Sequence, residues 1–238
     1  MNLLAFDTST TAGSIALARD GRVLSEWNLD AGGRNAERLL PGIDFLLRSA
    51  GIRADSLEAL ATTCGPGSFT GLRIGIATAK SLALVLGLPL HGVSTLEAIA
   101  FSMRETGLAV VAAVDAHRGG VFAQGFLPAN GGARPDPLPG PLACPEEHDP
   151  ESLASVCPPG ALVAGDGLQR FREVFERLSP PGTRLSAGPW FLAAPAAILA
   201  SNAHARGERP HPGSLEAQYL RPADATKGQG TFNPICPR

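Results

Sequence analysis

Leu3-Leu4-Ala5-Phe6-Asp7, Gly13-Ser14-Ile15-Ala16-Leu17-Ala18 and Val23 to Leu29 are three apolar runs, the last two joined by Arg19-Asp20-Gly21-Arg22. An Asp-Gly pair between two such runs is a hairpin signal, so the opening reads as strand, turn, strand, turn, strand. Asn35 to Ala50 follows, with apolar residues at Ala36, Leu39, Leu40, Ile43, Leu46, Leu47 and Ala50. That is helical spacing, with Pro41 near the first turns and Gly51 as the stop. Leu57 to Thr63 reads as a strand, Thr70 to Leu86 as a helix and Leu90 to Val93 as a strand. Ser94 caps a third helix that ends near Gly107. Three meandering strands followed by alternating helices and strands predict an α/β chain with mixed sheets and helices on their faces.

Ala109 to Asp115 and Gly120 to Leu127 form a second strand pair around His117-Arg118-Gly119, which reads as the opening of another lobe. Pro128 to Gly160 carries 9 prolines in 33 residues and is expected to be an irregular excursion. Ala161 to Ala164 reads as a strand, and Leu168 to Leu178 and Ala193 to Arg206 as helices. The expected division is a first lobe over 1–108, a second over 109–221 with the excursion 128–160, and a loose tail over 222–238.

The chain has 238 residues, 44% hydrophobic and 18% charged, which excludes wholesale disorder. Net charge is −2, and the residues on either side of Leu127 each carry 10 basic and 11 acidic groups. A protein that gripped nucleic acid unaided would show a positive surplus, so direct nucleic-acid binding is disfavoured. Cys64, Cys144, Cys157 and Cys236 show no metal-ligand spacing, and reduced thiols are expected. The opening lacks a basic segment before its short apolar run, and Ser81 to Val93, the longest apolar run, is too short to span a bilayer. A cytoplasmic protein is expected.

The most informative segment for function is Gly65-Pro66-Gly67-Ser68-Phe69-Thr70-Gly71-Leu72-Arg73-Ile74-Gly75. A glycine-rich turn that opens a helix can seat an anion on its backbone N–H groups, or can be a tight turn and nothing more. No Gly-Lys-Ser/Thr follows, so it is not a P-loop. Behind it, Gly71, Gly75, Ala79 and Ala83 recur every four residues as a stripe of minimal side chains, which lets another backbone come close. Spacing leaves open whether that backbone is the chain's own sheet or a partner's helix. Asp7 with Thr8, Ser9 and Thr10 lies at a strand end, where a carboxylate and hydroxyls suit either a hydrated cation or an ordinary turn.

Several segments together resemble the TsaB (YeaZ) family of the bacterial tRNA threonylcarbamoyladenosine machinery. They are the glycine loop, Leu4-Ala5-Phe6-Asp7-Thr8-Ser9-Thr10, Glu37-Arg38-Leu39-Leu40-Pro41, Gly92-Val93-Ser94-Thr95-Leu96-Glu97, Asp115-Ala116-His117-Arg118-Gly119, Gly165-Asp166-Gly167 and Tyr219-Leu220-Arg221. The resemblance implies two ribonuclease-H-like lobes of the actin-like ATPase (ASKHA) architecture. It also implies a catalytic partner, TsaD, an ATPase partner, TsaE, and a dimer surface on the first two helices. On that basis Asn35, Leu39, Leu40, Ile43, Leu46, Leu47, Gly71, Leu72, Gly75 and Ala79 are the expected interface residues. Asp7, Thr8, Ser9, Thr10, Gly67 and Ser68 are the expected nucleotide-facing group. Asn35 departs from the family's usual histidine.

TsaD-like relatives hold a metal with a His-x-x-x-His pair, and in the matching stretch this chain has Thr95 and Ile99. Threonine is a poor ligand and isoleucine none, so no metal site and no catalytic residue are expected. Gly67-Ser68-Phe69 is not a serine-nucleophile elbow, and Cys64 reads as a buried strand-end thiol. The expectation is a non-catalytic scaffold subunit that docks TsaD, meets tRNA only within the complex and forms a homodimer when the partner is missing. Tight cofactors are not expected, with ATP or ADP and magnesium admitted only at a composite site. The alternative is a stand-alone ATPase or metallopeptidase-like member of the same fold.

Overall fold

The computed structural model describes residues 1–29, 35–128 and 134–221. The expected meander forms β1 (Asn2–Asp7), β2 (Gly13–Arg19) and β3 (Arg22–Leu29). After α1 (Asn35–Ser49) come β4 (Ala59–Gly65), α2 (Phe69–Leu86), β5 (Leu90–Ser94) and α3 (Thr95–Ser102). The first sheet has the order β3-β2-β1-β4-β5, antiparallel through the meander and parallel from β1 to β5.

The second half repeats the plan with β6 (Val110–Asp115), β7 (Val121–Phe126), β8 (Glu146–His148), α4 (Pro150–Val156), β9 (Leu162–Ala164), α5 (Gly167–Leu178), β10 (Arg184–Ser186) and α6 (Ala193–Ala205). Its sheet runs β8-β7-β6-β9-β10, with the same antiparallel meander and the same parallel extension. Two copies of one sheet order are the duplicated ribonuclease-H-like lobe of the ASKHA architecture.

Between the sheets lie α3 and α6. Every residue from Thr95 to Phe101 is buried, and Ala193, Ala196, Ala197 and Ala200 bring α6 down onto β1, β2 and β4. A helix of alanines permits that approach, and its first N–H is anchored by Ser14 Oγ at 2.9 Å. The lobe expected over 109–221 therefore returns α6 to the first sheet. Leu215 also packs into the core beneath α1 and α2, and Gln218 N–H donates to Cys64 O at 2.7 Å.

The departures from expectation have local causes. The strand placed at Leu57 begins two residues later because Ala54–Ser56 is a 3-10 turn. The third helix stops at Ser102 and passes through Met103 into a separate 3-10 turn. The proline-rich excursion is not wholly irregular: it holds β8 and α4. Asp149 caps α4, accepting from the N–H groups of Glu151 and Ser152 at 3.1 Å, and Pro150 takes the first turn, where a missing N–H costs least. Asp149→Ala is expected to cost about 1 kcal/mol in chemical unfolding.

Cys64 and Cys157 are free and buried, each thiol pushed up to about 12 by burial, whereas Cys144 is disulfide-bonded, against the expectation of reduced thiols throughout. Among the described residues α2 is long and apolar enough to cross a membrane, which the run-length count missed by stopping at Lys80. Its glycine face packs inside its own lobe. The expected loose tail, 222–238, lies outside the described residues.

Candidate functional site

Two features answer the expectations, the face of the first two helices and the cleft between the lobes. The helices come first. Leu39, Ile43, Leu46, Leu47 and Leu72 are buried in the core of their own lobe. As interface residues they are corrected: an amphipathic helix buries this stripe against its own sheet.

The small stripe is corrected for a sharper reason. A Cβ on Gly71 would sit 1.9 Å from the carbonyl oxygen of Thr8, and one on Gly75 would sit 2.3 Å from Thr8 Oγ1. Ala79 is fully buried in the same packing. The backbone that comes close is therefore the loop after β1. Asn35 begins α1, but its side chain lies outside the described residues.

Of the expected interface residues Leu40 faces solvent, at 55% exposure, and the outward surface adds residues that spacing did not single out. Phe45 is 59% exposed on α1, and Leu84 and Val85 are 60% and 84% exposed on α2. With Phe69, the two touching helices hold five of the ten large exposed hydrophobic residues among the described residues. Phe69 is in part covered by Tyr219 and Arg73, which leaves Leu40, Phe45, Leu84 and Val85 as the outward apolar side chains of the two helices. The signal was present in the sequence as apolar residues off the core stripe.

The interlobe cleft gathers Thr8, Ser9, Thr10, Ser68, Asp115, His117 and Asp166, with a cavity of about 150 Å3. The expected nucleotide-facing residues meet here, but their polar atoms are turned toward one another. Asp7 is fully buried, and its Oδ1 accepts from Ser9 N–H, Ser9 Oγ and Thr63 Oγ1. Thr8 Oγ1 donates to Gly71 O at 2.8 Å, Thr10 Oγ1 donates to Ala12 O at 2.9 Å, and Ser68 Oγ accepts the N–H of Gly71 as a helix cap. Gly67 lies against the backbone of Ser9, and Ser68 N–H donates to Ser9 O. The loop that could have cradled a phosphate is filled by its own protein.

Charge points the same way. Asp115 and Asp166 face the cleft, and burial, reinforced by the charges of Asp115 and Asp7, pushes Asp166 up to about 6. Burial also raises Asp7, whose Oδ2 has no hydrogen-bond partner. Polyphosphate would enter against these carboxylates, into a space below the roughly 300 Å3 of small-molecule sites. Without a metal counter-ion, a nucleoside triphosphate fits neither that charge nor that volume. At the hairpin end Asp115 Oδ1 accepts the backbone N–H of His117 at 2.8 Å. Gly165-Asp166-Gly167 bounds the cleft, and the N–H of Asp115 donates to Asp166 Oδ1 at 3.2 Å.

A raised carboxyl pKa makes the native state hold its proton between about pH 4 and 6 while the unfolded chain gives it up, so this group's contribution to stability falls as pH rises through that window. His91, pushed down to about 4 by burial, has the opposite sign: the unfolded chain binds the extra proton, and stability rises over the same window. Asp166→Asn is therefore expected to stabilise the chain at pH 7 by about 2 kcal/mol. In thermal unfolding from pH 4 to 7 it should also unmask the rising histidine slope.

A family profile for TsaD, tRNA N6-adenosine threonylcarbamoyltransferase, matches residues 30–135. The tRNA threonylcarbamoyladenosine biosynthesis protein TsaB of Escherichia coli is 44% identical over 124 residues, 51% of this chain and 53% of that protein. Its counterpart in Bacillus subtilis is 34% identical over 131 residues, 55% of this chain and 57% of that protein. The alignments thus span about half the length of these curated relatives. The structure of YeaZ from Pseudomonas aeruginosa superimposes with a TM-score of 0.78 at 31% identity, covering 92% of this chain and 99% of that one. A likeness of that extent and identity, running through both lobes, settles the kinship: the chain belongs to the TsaB (YeaZ) family.

Proposed function

We propose that this chain is a non-catalytic scaffold subunit in tRNA threonylcarbamoyladenosine biosynthesis, docking TsaD through the outward face of α1 and α2 and holding it in an active arrangement. The observation that carries the reading is the exposed apolar set Leu40, Phe45, Leu84 and Val85 on helices whose other faces are already consumed by the core. A desolvated apolar centre is what a stable protein interface needs. The cleft supports the same reading, because its residues are bonded to each other and repel phosphate. Nucleotide and magnesium then enter at a site composed with a partner, and TsaE and tRNA are met only in the assembly, in the cytoplasm. The same face gives a homodimer when TsaD is missing, since a self-complementary patch needs no new residues.

Sedimentation velocity of the purified chain with its cognate TsaD tests the proposal. A 1:1 heterodimer that replaces any self-associated form is expected. Two non-interacting species at micromolar concentration would refute it.

A further inference from the structure

Away from the cleft and the docking face, a second cavity of about 230 Å3 opens between β5, α3 and the end of α6. Glu97 faces it. This carboxylate is only 5% exposed, and both its oxygens are met by Arg134, Nε at 2.6 Å from Oε1 and Nη2 at 2.9 Å from Oε2. On the far wall Arg206 donates to Glu208 Oε1 through Nε at 3.1 Å and Nη2 at 2.9 Å. Val93 and Leu199 supply an apolar wall.

Of these groups only Glu97 is taken out of water, the Arg134 side chain that meets it being 69% exposed, and a buried carboxylate is costly unless its lone pairs are satisfied. Here two acids and two guanidinium groups line an opening that none of the described residues fills. Two bonds from Arg134 leave acceptor capacity on the Glu97 oxygens and donor capacity on the guanidinium, since a carboxylate offers about four lone-pair sites and an arginine five N–H donors. The four charges sum to zero, so a ligand with one net charge unbalances them, whereas a ligand carrying both signs does not. His91 adds no charge at neutral pH, because burial pushes it down to about 4.

We propose that this cavity binds a small zwitterion of the free α-amino acid class, its ammonium taken by Glu97 and its carboxylate by Arg134 and Arg206. The volume admits a compact amino acid and excludes a nucleotide. This reading is independent of the docking role and uses residues on neither α1 nor α2.

The test uses the full chain with glycine, L-alanine, L-valine, L-glutamine and L-arginine as probes, and acetate and methylammonium at equal concentration as singly charged controls. Thermal unfolding and amide chemical shifts of labelled protein are read together. At least one amino acid is expected to raise the unfolding temperature and to shift the amides of Val93 and Ala203, with neither control doing so. Glu97→Gln and Arg206→Ala should each weaken that binding about tenfold. Arg206 is half-exposed, so its variant and the amide map decide the matter if Glu97→Gln fails to fold. No response to any amino acid, an equal response to acetate or methylammonium, shifts confined to other parts of the chain, or unchanged affinity in the variants would overturn the proposal.

Discussion

Gly71→Ala is expected to lose about 3 kcal/mol or more of stability, enough to leave much of the chain unfolded at moderate urea. The added methyl would lie 1.9 Å from the carbonyl oxygen of Thr8, and a backbone atom cannot rotate away as a side-chain end can. Thr8 in turn receives no slack from its surroundings. Its hydroxyl donates to Gly71 O, and the next residue, Ser9, binds Ser68 N–H through its carbonyl and Asp7 through its hydroxyl. Moving the loop to admit one methyl would strip several hydrogen bonds from a fully buried carboxylate. Gly75→Ala should cost less, because its nearest contact is the Thr8 hydroxyl. Urea titration of both variants measures this directly. Equal and small losses would show that the stripe is not packed internally.

The second large effect belongs to binding. Leu40→Glu and Val85→Lys replace outward-facing side chains, so each should change folding stability by less than about 0.5 kcal/mol. Each should nevertheless weaken TsaD binding by about 30-fold or more, because a charge placed at the centre of an apolar interface is buried without a partner. The contrast with Gly71→Ala is the informative part. One substitution weakens the fold, and the others leave it intact but alone. Isothermal titration of each variant against TsaD, alongside its unfolding curve, separates the two.

Much of this architecture is legible in the residues because short-range chemistry decides it. The Asp20-Gly21 turn, the Ser94 cap and the apolar period of α1 each specify an element from local preferences. The duplicated lobe was readable from a second strand pair after Val110. What the pattern missed depended on distant partners. Three-residue strands such as β8 and β10 carry too few side chains to show a period, and form because β7 and β9 offer an edge. The fate of the glycine stripe was open because a stripe of small residues states that something comes close, not what comes close. The return of α6 and Leu215 to the first lobe is likewise a tertiary fact. The Asp149-Pro150 cap was legible and was obscured by the surrounding prolines.

The same distinction governs the candidate site. Residue type put Asp7 and its hydroxyl neighbours at a strand end, but only the fold shows that they bond one another, leaving Asp7 Oδ2 as the orphan. Exposed leucines off the core stripe required knowing which side of each helix the sheet covers.

The most direct measurement is tRNA modification reconstituted from purified components with TsaE, ATP and an activated threonylcarbamoyl donor in every reaction, comparing the lone chain, cognate TsaD with wild-type chain, and TsaD with the Leu40→Glu/Val85→Lys double variant. Modification is expected only where wild-type chain and TsaD are both present, with the double variant reducing the rate at least tenfold. Modified tRNA produced by this chain in the absence of TsaD would contradict the account.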